Sequence, residues 1–165
     1  MPRLWACHNG ERERVFFIAH RKDLNFKPLK LQFKEAPILF REIRSKQGKD
    51  VDKKTKSYYL LQHRKPTDKC MADINLRLNG KGTNYGSQIY CDEDVAQTLV
   101  SSGTAYRMVD GKACTDSDFI NMQTFPQDYD FGKQQAKYIC GMSVPPVMMA
   151  QISAQIYEQW FKPMQ

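Results

Sequence analysis

Two arginines one residue apart, Arg12 and Arg14, stand directly before Val15-Phe16-Phe17-Ile18-Ala19. That run is wholly apolar and rich in β-formers, which predicts a strand buried on both faces. A guanidinium is a permanent planar cation with five donors. A pair of them at the end of a buried strand would present positive charge at the rim of a sheet, where α/β enzymes bind their ligands. His20-Arg21-Lys22 adds charge at the other end. A second feature is the glycine-rich stretch Asn79-Gly80-Lys81-Gly82-Thr83-Asn84-Tyr85-Gly86. Its glycines let backbone approach a partner closely, and Lys81 and Asn84 can reach phosphates or base edges. A plain hairpin turn uses the same residue types. It is not a phosphate-binding P-loop, because the Gly-Lys-Ser/Thr ending and the apolar helix after it are missing.

The candidate nucleophiles are Cys7, Cys70, Cys91, Cys114 and Cys140. Their number is odd and no C-x-x-C pair occurs, so neither a disulfide framework nor a zinc ribbon is written here, and reduced, mostly buried thiols are expected. No metal site is expected from Cys7, His8 or His20, since the ligand spacing of structural sites is absent.

These groups need a scaffold, and 165 residues suffice for one domain, or a small domain with an appendage. Charged residues at 26% and aromatics at 12% argue against disorder. The net charge of +7 favours a polyanionic partner, with acidic lipid and RNA satisfying the same arithmetic as DNA. No apolar run reaches membrane-spanning length, and Met1-Pro2-Arg3-Leu4-Trp5 lacks a signal peptide's apolar stretch. No membrane partner and a cytoplasmic location are therefore expected.

From Leu24 to about Asp110, short apolar clusters alternate with charges and turn residues, among them Leu29 to Phe33, Ile38 to Ile43 and Tyr58 to Leu61. Short strands and irregular loops are predicted there. Ser45 to Lys56 carries five lysines and reads as a solvated loop or hairpin tip, with phosphate contact as its other use. Ser143-Val144-Pro145-Pro146 offers a hydroxyl cap and prolines suited to a first helical turn. A helix should follow and end at Pro163, burying Met148, Ile152, Ile156 and Trp160 on a stripe widened by Met149, Ala154 and Tyr157.

Three segments, taken in order, resemble motifs of the DNA (cytosine-5) methyltransferases of the phage or restriction-modification kind. Gly10-Glu11-Arg12-Glu13-Arg14-Val15-Phe16-Phe17-Ile18 resembles the eighth motif, Q-x-R-x-R before an apolar strand, with Gly10 in the glutamine position. Gln123-Thr124-Phe125-Pro126-Gln127-Asp128-Tyr129 ends a stretch from Thr115 that resembles the ninth motif, L-Q-G-F-P-x-x-Y, with Thr124 in the glycine position. Gly141-Met142-Ser143-Val144-Pro145-Pro146 resembles the tenth, G-N-S-V-P-P, with Met142 in the asparagine position. Between the eighth and ninth motifs such enzymes carry a variable target-recognition region, usually with a Thr-Leu pair. Here Thr98-Leu99 precedes Val100-Ser101-Ser102-Gly103-Thr104.

The resemblance implies an α/β arrangement, or a small α+β domain. A target-recognition domain of twisted β-sheet and loops would span 23–110, with motif-nine residues at 111–140. Residues 1–22 and 141–165 would supply one strand and a C-terminal helix of a Rossmann-like methyltransferase domain that is otherwise missing. Arg14 would hydrogen-bond an extruded cytosine and Arg12 would orient that site. DNA would be read by Lys81, Asn84, Tyr85, Thr98, Ser101, Ser102 and Gly103, while Met142, Ser143 and Val144 would lie near S-adenosylmethionine. The family's nucleophile follows a proline, and no cysteine here does. The F-x-G-x-G and E-N-V motifs are absent too. The chain is expected to be inactive alone, to act on duplex DNA, and to hold the methyl donor only with a complementing chain that carries motifs one to seven. A truncated remnant and a free-standing DNA-binding regulatory module remain as other readings of the same residues.

Overall fold

The computed structural model describes residues 15–33, 36–82 and 87–164. Two hydrophobic clusters organise them. One gathers Phe40, Tyr90, Leu99, Ala105, Cys114, Phe119, Met122 and Cys140, and so joins residues on both sides of position 110. The other gathers Leu60, Leu61, Met71, Ile74, Ile89 and Tyr106. Six α-helices surround them: α1 (Phe40–Ile43), α2 (Lys56–Gln62), α3 (Met71–Asn79), α4 (Asp116–Met122), α5 (Ala136–Met142) and α6 (Pro146–Ile156). Between α3 and α4 lie β1 (Ile89–Tyr90) and β2 (Tyr106–Arg107), paired in parallel with Ile89 opposite Tyr106 and Tyr90 opposite Arg107.

The chain is thus a small α/β structure, much poorer in strand than its apolar clusters suggest. Tyr58 to Leu61, expected as a strand, is the middle of α2. Thr55 caps that helix by accepting from the Tyr58 amide at 3.2 Å, and a run of four apolar residues carries no period by which strand and helix differ. Ile38 to Ile43 holds a single bridge, Leu39 to Val95, and then enters α1. Gly80 closes α3 in the left-handed region at φ 66°, so this glycine ends a helix rather than turning a hairpin.

The expected buried strand at Val15 is not formed. Val15 and Phe17 are 96% and 93% exposed, whereas Phe16 and Ile18 are half-buried. The reason is that a strand needs neighbours, and none of the described residues pairs with this one.

The segment that follows instead lies along α6. Lys30 N donates to Gln159 Oε1 and receives Gln159 Nε2 on its carbonyl, both at 3.0 Å. Gln32 N donates to Gln155 Oε1 at 2.7 Å, and Gln155 Nε2 donates back to the Gln32 carbonyl at 2.8 Å. Four residues of helix rise about 6 Å, close to the roughly 6.6 Å between alternate residues of extended chain. Two amides one helical turn apart therefore serve as the missing neighbour strand for Leu29 to Phe33. Trp160 anchors the near end: its indole N–H donates to the Lys27 carbonyl at 2.8 Å, and its ring stacks on Phe26 with centroids 5.0 Å apart.

The last helix runs as α6, one π-helical turn (Tyr157–Phe161) and one 3-10 turn (Lys162–Met164). Ile152 and Trp160 are buried and Met148 and Ile156 half-buried, as the stripe requires. Met149, Ala154 and Tyr157, expected to widen it, are exposed because the extended segment covers only a narrow band. The cap also differs. Ser143 ends α5, and its hydroxyl turns back to the Cys140 carbonyl at 3.0 Å. The first turn of α6 is capped from elsewhere, with Val147 N donating to Thr124 Oγ1 at 3.2 Å. Thr124 does this from the left-handed region, at φ 57°.

Two outcomes follow from these contacts. A β-branched residue held left-handed costs about 1–2 kcal/mol, and a helix cap contributes about 1 kcal/mol. Thr124→Ala should therefore destabilise by about 1 kcal/mol, Thr124→Gly should be near neutral, and Thr124→Asn, which tolerates the backbone and keeps an acceptor, should be the most stable of the three; urea denaturation gives the order. The double variant Gln155→Ala/Gln159→Ala should speed hydrogen exchange at the Lys30 and Gln32 amides at least tenfold. It should leave the core amide of Ile89, bonded to the Lys69 carbonyl at 2.9 Å, unchanged.

Candidate nucleic-acid interface

Thr98 to Thr104 connects the first cluster to β2, and each stage of it is held by a side chain from another element. At its start, buried Gln88 donates through Nε2 to the Thr98 carbonyl at 2.7 Å and accepts the Val100 amide on Oε1 at 3.1 Å. The same Oε1 accepts the buried Tyr90 hydroxyl at 2.9 Å. In its middle, Lys137 of α5 donates to the Val100 carbonyl at 2.8 Å and the Ser102 carbonyl at 2.6 Å. Desolvation holds the Lys137 ammonium below its usual pKa, as expected of a cation whose solvent has been replaced by two carbonyls. Gly103 then turns the chain at φ 69°.

The end of α5, just ahead of the S-V-P-P element, packs on this loop at one point where nothing but hydrogen fits. A Cβ on Gly141 would stand 2.5 Å from Ser101 N, 2.6 Å from Ser101 Cα and 2.8 Å from the Val100 carbonyl carbon. All three are backbone atoms. Behind the contact lie Cys140, fully buried, and Cys114, nearly so, and burial pushes both thiols up, Cys140 to about 11. Burial therefore favours the thiol over the thiolate at both positions.

The expected DNA-reading residues divide accordingly. Thr98 and Ser101 are half-buried, with backbone committed to Gln88 and to the Gly141 contact, whereas Ser102 and Gly103 are exposed. Lys81 is also exposed, and its carbonyl accepts from buried Asn75 Nδ2 at 2.5 Å. Arg12, Arg14, Asn84 and Tyr85 lie outside the described residues, as do Cys7 and His8. Thr98 borders a cleft of ≈ 400 Å³ lined also by Lys69, Gln88, Gln97 and Val100. Gly103 and Thr104 border a second, of ≈ 600 Å³, together with Lys49, Gln134, Phe131 and Lys137.

Met142 is 59% exposed, Ser143 and Val144 are half-buried, and neither cleft is lined by them. The Ser143 hydroxyl is already committed to Cys140. These three residues offer a donor molecule an exposed edge, not an enclosure, and so do not by themselves fit a bound S-adenosylmethionine. Among the described residues no group of His, Cys, Asp and Glu side chains is arranged to hold a metal ion. No described helix is long and apolar enough to cross a membrane.

The residues that hold the loop, Gln88 and Lys137, escaped the sequence reading. Nothing in a glutamine at the start of a short apolar run or a lysine inside an amphipathic turn signals a distant carbonyl partner. Arg107 escaped it too. Its side chain is buried, its Nη2 pairs with Asp110 at 3.0 Å, its Nη1 donates to the Ser45 carbonyl at 3.1 Å, and its Nε has no partner among the described residues.

Gly141→Ala tests the loop-to-helix contact: overpacking against backbone should destabilise the chain by about 1–3 kcal/mol in urea denaturation, and wild-type stability would show that Ser101 does not pack there.

Among curated proteins none matches the chain. The family model for the C-5 cytosine-specific DNA methylase, however, matches residues 9–158, which include the Thr98–Thr104 loop, the left-handed Thr124 turn and the Gly141 contact. With most of its length so matched, the chain belongs to the C-5 cytosine-specific DNA methylase family.

Proposed function

We propose that this chain is the target-recognition part of a DNA (cytosine-5) methyltransferase and that it completes, rather than contains, the catalytic centre. The family transfers a methyl group from S-adenosylmethionine to cytosine. Cytosine C5 becomes nucleophilic when a thiolate adds to the ring of a base extruded from the duplex. None of the five cysteines here follows a proline, and Cys114 and Cys140 are held as thiols by burial. A complementing chain with motifs one to seven supplies the nucleophile, the acid and the main site for the methyl donor.

In this reading Arg14 donates to the extruded base and stabilises the charge that develops as the thiolate adds, and Arg12 orients that site. Sequence is read from Lys81, Asn84 and Tyr85 on one loop and Thr98, Ser101, Ser102 and Gly103 on the other. Phosphate contacts set register there, while base-edge contacts choose the target. Met142, Ser143 and Val144 form one edge of the donor site. Domain roles follow the division at 1–22, 23–110, 111–140 and 141–165, and the setting is a cytoplasmic restriction-modification or phage system. The observation that supports the proposal is the close Gly141–Ser101 approach, by which the end of α5, just ahead of S-V-P-P, packs directly on the variable loop.

Co-expression with a chain bearing motifs one to seven should yield 5-methylcytosine in cellular DNA, and neither chain alone should. Arg14→Ala should cut methylation by about 10²- to 10³-fold, the loss seen when one preorganised donor is removed, with less than a tenfold change in DNA affinity. Absence of 5-methylcytosine from cells holding both chains, where an intact fusion of them does methylate, would refute the split enzyme.

A further inference from the structure

The lysine run from Ser45 to Lys56 is not absorbed by the site above, and its density sets it apart from the other charges. Elsewhere Arg44 pairs with Asp92, Lys69 with Asp94, Arg77 with Asp68 and Arg41 with Glu93, while exposed lysines without an ion pair among the described residues, such as Lys22, Lys27 and Lys133, are scattered. Lys46, Lys53, Lys54 and Lys56 are exposed and have no ion pair among the described residues. Lys49 reaches Asp116 only at 3.9 Å, with both side chains more than 60% exposed, a pairing that contributes little. The run's own two carboxylates offset only part of the charge of its five lysines. Asp50 pairs with Lys112 at 3.0 Å, and Asp52 accepts the Lys54 backbone amide at 2.9 Å.

A stretch kept only for solubility needs no fixed backbone, yet this one is tied along its length. Ser45 N donates to the buried Asp118 carboxylate at 2.5 Å, and Arg107 holds the Ser45 carbonyl. Lys49 and Ala113 exchange both backbone hydrogen bonds at 2.8 Å. Gly48 lies where a Cβ would meet Lys112 Cβ at 2.7 Å and the Ala113 carbonyl at 3.0 Å. Thr55 then starts α2. That ordering costs conformational entropy and leaves the backbone from which the lysines project in a defined place. Lys49 also lines the same ≈ 600 Å³ cleft as Gly103 and Thr104, which joins the run to the end of the Thr98–Thr104 loop.

We propose that Lys46, Lys49, Lys53, Lys54 and Lys56 form a preorganised track for the phosphates of duplex DNA, beside the loop that reads its bases. This rests on the DNA-binding reading above and names the side chains that carry its salt dependence. Each lysine on a phosphate adds about 0.9 to the slope of log K against log salt for B-DNA.

The test uses the full chain and a mixed-sequence duplex oligonucleotide, with affinity measured across a salt series. Lys46→Gln/Lys53→Gln/Lys54→Gln should lower the slope by about 2 to 3. The control Lys22→Gln/Lys27→Gln/Lys133→Gln makes the same change in net charge at exposed lysines elsewhere, and should lower it by less than about 1. Equal losses in the two triples would overturn the proposal, because net charge alone would then be responsible. So would binding with an unchanged slope in the first triple, which leaves the DNA-binding reading standing. Failure of the unmodified chain to bind duplex at any salt would sink both. Vesicles containing phosphatidylserine provide the last arm: loss of vesicle binding in the first triple, with its DNA slope retained, would assign the track to a membrane surface and overturn the proposal.

Discussion

A chain that folds with almost no sheet must still satisfy its backbone carbonyls and amides, and here long polar side chains do so from a distance. Lys137 takes two carbonyls of the variable loop, Gln88 takes its first, and Arg64 takes those of Leu61, Met108 and Val109. Asn121 reaches the Ile43 carbonyl at 2.7 Å, and Gln97 those of Lys69 and Ile89. A buried carbonyl without a partner costs about 1–3 kcal/mol, a large share of the stability of a domain this size. The carbonyls of the irregular loops are therefore satisfied by side chains where no strand ladder among the described residues does so.

That arrangement gives the family's glycines specific physical jobs. Gly141 lets α5 meet the backbone of the variable loop, and no side chain can replace hydrogen there without moving Ser101. The other glycine position, in the ninth motif, is occupied by Thr124, whose backbone still adopts the left-handed conformation that explains why glycine stands there in the pattern. The threonine recovers part of the cost by capping α6.

How much of this was legible in the sequence divides along physical lines. The C-terminal helix was readable because a period of 3.6 over three turns is unambiguous, and its start was marked by Pro145 and Pro146, although the cap comes from Thr124 rather than Ser143. The region between Leu24 and Asp110 holds irregular loops and the short strands β1 and β2, as expected, but the helices α1 to α3 within it were not foreseen. Its apolar clusters run for only four to six residues, little more than one helical turn, so Leu60 and Leu61 pack into a core from a helix as readily as from a strand. The loop's supports were invisible, since Gln88 and Lys137 act through backbone groups that carry no side-chain signature. The arginines that mattered most to the sequence argument, Arg12 and Arg14, stand outside the described residues and are known only through their spacing.

The two ends of the described chain meet each other before they meet anything else. Gln155 and Gln159 take the place of a neighbouring strand for residues 30 and 32, and Phe26 stacks on Trp160. Beyond that contact the apolar surface is left over on both sides: Val15 and Phe17 on the entering segment, Met149, Tyr157 and Phe161 on the leaving helix. Large apolar side chains exposed together are the usual mark of an interface that has not been filled. Under the proposed reading, the surface offered to a complementing chain is then a joint product of both ends. Loss of the C-terminal helix would remove the hydrogen-bonding partners of residues 30 and 32 together with the proposed donor edge's neighbour.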